Sequence, residues 1–98
     1  MARIKETALV TWASSGIGRE TVIRLAKRGY RVIGAARRMN RINQLASHLG
    51  DIIPKGVDLS NYDDVEALCR YLEERTEPIT VLVNNAGYSN LFTRQVLW

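Results

Sequence analysis

Between an apolar run, Thr7-Ala8-Leu9-Val10, and a segment of helical periodicity, Arg19 to Arg28, stands Thr11-Trp12-Ala13-Ser14-Ser15-Gly16-Ile17-Gly18. A buried strand that passes through glycines straight into a helix leaves few architectures open. The free N–H groups and positive dipole end of the new helix point at whatever lies over the turn, and they favour an anion. Gly16 and Gly18 let the backbone approach that anion with no Cβ in the way. Strand, glycine turn and helix are the setting in which a dinucleotide phosphate is held. Taken alone, the turn is equally well an ordinary tight strand-to-helix connection.

The rest of the chain decides between these readings by alternating strand and helix. Residues 5–11 read as a first strand. The helix after the turn carries Ile17, Thr21, Val22, Leu25 and Ala26 toward one side and stops at Gly29. Arg31 to Ala36 is a second strand, whose uninterrupted apolar middle implies burial on both faces, as in a parallel sheet. Ile42, Leu45, Ala46 and Leu49 form an amphipathic stripe over 40–49, closed by Gly50. Ile52 to Asp58 is a third strand containing Pro54, which cannot donate to a ladder and so predicts an edge. Ser60-Asn61-Tyr62-Asp63 opens a third helix as a cap with an acid three residues on. Val65, Leu68, Cys69 and Leu72 supply that helix's apolar stripe, which predicts that Cys69 is a small core residue. After the polar connection Glu73 to Pro78, Ile79 to Val83 is a fourth strand, apolar except for Thr80. Alternation of this kind means α/β structure built from βαβ units with right-handed crossovers.

Composition removes several other classes. Ninety-eight residues make one domain or part of one, and 46% hydrophobic residues suffice for a core. The net charge of +4 raises nucleic-acid binding. The basic residues are scattered, however, over Arg24 to Arg31 and Arg37 to Arg41, with no interleaved aromatic platform, so nucleic acid is not an expected partner. No apolar run approaches the roughly 20 residues that span a bilayer. The segment Met1 to Glu6 lacks the apolar core of a signal peptide, which makes the cytoplasm the default expectation. The single cysteine allows no intrachain disulfide and argues against a metal cluster. His48 is expected on the surface.

With these residues in place, the chain resembles the short-chain dehydrogenase/reductase family. The family opens with Thr-Gly-x-x-x-Gly-x-Gly, matched here at Thr11, Gly16, Ile17 and Gly18. Ala36-Arg37-Arg38 after the second strand, Val57-Asp58-Leu59 after the third, and Asn84-Asn85-Ala86-Gly87 after the fourth stand at the family's spacing. The resemblance implies a Rossmann-type parallel sheet of order 3-2-1-4, the first half of a doubly wound fold. Residues 1–98 would form a single partial NAD(P)-binding domain, with 88–98 an irregular tail where the family continues into a long helix and further strands.

Carried over by the resemblance, Ser14, Ser15 and Ile17 meet the pyrophosphate and adenosine ribose, unless the serines only cap the helix. Asp58, with Leu59 beside it, receives the adenine amino group, unless it serves only as a helix-start acid. Asn84, Ala86 and Gly87 support the sheet and line the ribose, unless they form only a turn. The end of the second strand bears on cofactor choice. An NAD site wants a carboxylate there for the ribose 2′-OH, whereas an NADP site wants arginine. Ala36 holds the acidic position, and Arg37 and Arg38 follow, so NADP is preferred over NAD, unless both arginines are simply solvated. The chain departs from the family at Trp12, which replaces the first glycine. An indole must leave the site, and a Cβ conflicts with a positive φ, so Trp12 is expected to weaken or block cofactor binding.

The family's proton chemistry uses a tyrosine with a lysine four residues on, plus a serine upstream. Tyr30, Tyr62, Tyr71 and Tyr88 are followed at that spacing by Gly34, Glu66, Arg75 and Phe92. No catalytic residue is therefore assigned, and two functions stand. The first is the NADP(H)-binding portion of a reductase, not competent by itself. The alternative is a non-catalytic assembly module that self-associates through the exposed edge of the fourth strand.

Overall fold

A computed structural model describes residues 5–11 and 16–84. Four strands form one parallel sheet in the order β3-β2-β1-β4: β1 (Thr7–Thr11), β2 (Arg31–Ala36), β3 (Ile52–Gly56) and β4 (Ile79–Asn84). The helices are α1 (Gly16–Lys27), α2 (Met39–Leu49) and α3 (Tyr62–Glu74). This is the Rossmann-type order that the motifs imply. Pro54 lies on the edge strand β3, opposite Gly34 of β2.

Side chains alternate between two cores, as the two-residue period of a strand requires. Val10, Val22, Val32, Ala36, Ile42, Leu45 and Ile52 pack on the side of α1 and α2. Leu9, Ile33, Ala35, Val57, Leu59 and Leu68 pack on the side of α3. The central strands β1 and β2 are buried almost throughout, whereas β4 is paired on one side only among the described residues, and its residues are mostly half-buried. Gly29 and Gly50, which end the first two helices, take positive φ values of 95° and 88°.

Several local expectations are corrected. Cys69 is exposed. The inward line of α3 runs through Val65, Leu68 and Leu72, with Tyr71 alongside, and one residue past Leu68 turns Cys69 about 100° away from it. Ile17 is 77% exposed rather than on the inner face, because α1 faces the sheet through Gly18 and Val22, four residues apart. The cap of α3 is Asn61, one residue later than expected, and its side chain accepts from the Asp64 N–H at 3.1 Å. Strand β3 ends at Gly56, two residues short of Asp58.

Candidate functional site

Parallel strands deliver all their carboxyl ends to one edge. In register, Thr11 stands beside Ala35 and Asn84, and Ala36 beside Gly56. The chain moves outward from β1 to β2 to β3, then returns to place β4 on the other side of β1. Open α/β sheets bind ligands in the crevice at such a reversal, which here falls at the carboxyl ends of β1 and β4.

Helix α1 begins at this crevice. Gly16 has φ +61°, a left-handed conformation that favours glycine, and open space lies where a Cβ would stand. The first turn of α1 carries no acidic residue, so its own side chains leave the positive end of the dipole uncompensated. Ile17 projects outward beside it. Gly18 is buried and brings the helix close to the sheet.

At the end of β2 the chain emerges from the buried Ala36 into the exposed Arg37 and Arg38. Neither arginine is in an ion pair among the described residues. Beside them, the amide of Val57 donates to the Ala36 carbonyl at 2.8 Å and so fixes the start of the segment that carries Asp58. The Asp58 Oδ1 accepts from the Ser60 amide at 2.9 Å and the Ser60 hydroxyl at 2.6 Å. These two bonds, together with the charge of Arg37, hold the Asp58 carboxyl below the usual carboxylate range. The Asp58 amide donates to Asp64 Oδ2 at 3.0 Å, which anchors the loop to the first turn of α3. The outcome is an ionised, oriented acceptor whose Oδ2 makes no hydrogen bond among the described residues.

Two of the remaining positions act from within. Thr11 is fully buried, and its hydroxyl donates to Asn84 Oδ1 at 2.9 Å, tying the ends of β1 and β4 together. The side chain of Leu59 belongs to the core, so its backbone is what it can offer the crevice. Trp12, Ser14, Ser15, Ala86 and Gly87 lie outside the described residues. Sequence reasoning overlooked Ser60 and Asp64 as supports of Asp58, although an Asp followed two residues later by Ser is a recognisable turn signal.

A helix N-terminus with open space where a Cβ of Gly16 would stand, two guanidinium groups in no ion pair among the described residues and one ionised acceptor match the pyrophosphate, further phosphate and amino group of a phosphorylated dinucleotide in kind. Among the described residues, no group of His, Cys, Asp and Glu could hold a metal ion, and no helix is long and apolar enough to cross a membrane.

The family model described as short chain dehydrogenase matches residues 6–97. A Dichelobacter nodosus protein described as "Probable NADP-dependent dehydrogenase in aabA 3'region" is 44% identical over 80 residues, covering 81% of this chain and 76% of that one. The bulky-bulky ketone specific alcohol dehydrogenase of Comamonas testosteroni superposes with a TM-score of 0.77 at 38% identity, over 86% of this chain and 36% of that one. A short-chain dehydrogenase from Sphingobium yanoikuyae, solved in complex with NADPH, gives 0.76 at 37% identity, over 84% of this chain and 34% of that one. The chain thus spans about a third of the length of these two solved structures.

Proposed function

The chain belongs to the short-chain dehydrogenase family, and on that premise we propose that it forms the NADP(H)-binding portion of a carbonyl or alcohol oxidoreductase. The observation that carries this reading is the end of β2, where Arg37 and Arg38, in no ion pair among the described residues, stand in place of a carboxylate. In this reading α1 directs its first N–H groups at the pyrophosphate, Arg37 and Arg38 hold the 2′-phosphate, and Asp58 accepts from the adenine amino group. Thr11 keeps Asn84 in position at the crevice. NADPH, when bound, supplies a hydride. The residues of this chain bind and orient it and assign no acid or base, so turnover is not expected from them alone.

The decisive experiment is a calorimetric titration of NADPH and NADH into the chain and into Trp12→Gly, with both first shown to be folded. Binding of NADPH over NADH by the original chain supports the whole reading and means that Trp12 is accommodated. Binding only after the substitution makes Trp12 the block. If neither folded protein binds either nucleotide, the cofactor reading is wrong.

The half-buried residues of β4 favour a second reading, association between copies through that strand's outer edge, which pairs with no strand among the described residues. Such pairing rests on main-chain hydrogen bonds and apolar side chains, so its signature is self-association that persists in high salt.

A further inference from the structure

Away from the crevice, a groove of about 450 Å³ runs between α1 and α2. Arg19, Ile23 and Lys27 line it from α1, while Arg41, Leu45 and His48 line it from α2. Leu45 is buried and Ile23 half-buried, so the floor is apolar; Arg19, Lys27 and Arg41 are exposed at the rim. None of these three cations is in an ion pair among the described residues. The groove is thus a cationic trough with an apolar base and, among the described residues, no acidic lining residue.

The opposite side of the sheet carries its complement. On α3, Asp63, Glu66, Ala67, Arg70 and Glu74 share one outward face. Acids outnumber the one base there, and that base is held only by an exposed i,i+4 pair, Arg70 to Glu66 at 3.2 Å, which is weak and exchangeable. The spacing matches too. Glu66 and Glu74 are eight residues apart, as are Arg19 and Lys27, and eight helical residues rise about 12 Å. Ala67, between the acids, is small enough to let a backbone come close.

We propose that the α1/α2 groove receives the acidic face of α3 from a second copy of this chain. The two surfaces lie on opposite faces of the sheet, so the contact is heterologous and each docked copy leaves one groove and one acidic face free for the next. One helix in one groove buries less than the roughly 1,600 Å² of a standard stable interface. The association is therefore weak, electrostatically steered and sensitive to salt.

The test is sedimentation equilibrium of the full chain across concentration, at low salt and at about 0.5 M NaCl, where screening acts well inside 10 Å. Two charge reversals accompany it, Arg41→Glu and Glu74→Lys. Each suits the helix that carries it, an acid in the first turn of α2 and a base in the last turn of α3, so neither should unfold the chain. The expected result is a mass that rises with concentration at low salt and returns to monomer at high salt, with each reversal weakening association about tenfold or more. An equal mixture of the two variants should associate again, because Arg41→Glu keeps an intact acidic face and Glu74→Lys keeps an intact groove. That recovery also shows that both variants are folded. A monomer at every concentration, association indifferent to salt and to both reversals, or a mixture that stays monomeric would each overturn the proposal. Indifference to salt and charge would instead point to pairing at the β4 edge.

Discussion

Arg37 faces two demands. It is exposed and in no ion pair among the described residues, which leaves it open to a phosphate, and its charge also helps to keep Asp58 ionised. Arg37→Ala separates the two. Hydrogen bonds to charged groups contribute about 1.5–3 kcal/mol, so NADPH affinity should fall roughly 10- to 100-fold while NADH affinity, measured by the same titration, stays unchanged. An equal loss for both nucleotides would sink the assignment of Arg37 to the 2′-phosphate. Without any nucleotide, the Asp58 pKa followed by carboxyl NMR should rise in the variant, since a favourable positive neighbour is gone. It should still stay below the usual range, because the Ser60 bonds are the larger cause and remain. Arg37 and Asp58 could be picked out from the sequence because each follows a strand at the position that the family resemblance implies. The aid of Ser60 and Asp64 was harder to see, since it depends on how one loop folds back onto α3. Cys69 shows the same limit from the other side. Its spacing fits an apolar stripe, but a stripe one residue too wide cannot be told from a correct one until the packing direction of the helix is known.

At the scale of elements, the amino ends of the strands are bound by a chain of alternating charges. Lys5 contacts Asp51 at 2.8 Å, and Asp51 contacts Arg31 at 3.1 Å. Arg31 also pairs with Glu77, and Glu77 meets Arg75 at 3.0 Å. These residues precede or begin β1, β2, β3 and β4, so one network joins four segments far apart in sequence, which is why no local pattern announced it. The Lys5 bond, and behind it the pairing with Arg31, holds the Asp51 carboxyl below its ordinary range. A carboxyl depressed in the folded state stabilises fully above its unfolded pKa, and that contribution is lost as pH falls through the folded value. The network should therefore stabilise the chain above about pH 4 and fade below it. Urea unfolding at several pH values should show stability falling with acid in the original chain and falling less steeply in Asp51→Asn. Parallel curves would mean that Asp51 is not a contributor.

The whole molecule follows from a few rules that are readable in sequence: strand and helix alternation, a proline that sends β3 to an edge, and right-handed crossovers that fold β1, β2 and β3 outward in turn. The position of β4 beside β1 came from the resemblance, since nothing in its own residues says which side it takes. That placement makes the candidate crevice a property of the entire sheet. Gly16 follows β1, Arg37 follows β2, Asp58 follows β3 and Asn84 ends β4, so a dinucleotide lying across the edge would reach residues from all four strand ends at once. Binding to the folded state alone stabilises by mass action, about 2.7 kcal/mol at a ligand concentration 100 times Kd. In a domain of this size each kcal/mol raises the melting temperature by about 4–8 °C, so saturating NADPH should raise it by roughly 10–20 °C. Equal concentrations of NADH should give a smaller rise, and in Arg37→Ala the two rises should converge. Trp12 sets which protein must be used: if the original chain shows no shift, Trp12→Gly should restore it. A folded Trp12→Gly whose melting point ignores both nucleotides would mean that the four strand ends, although correctly assembled, do not act together on a dinucleotide.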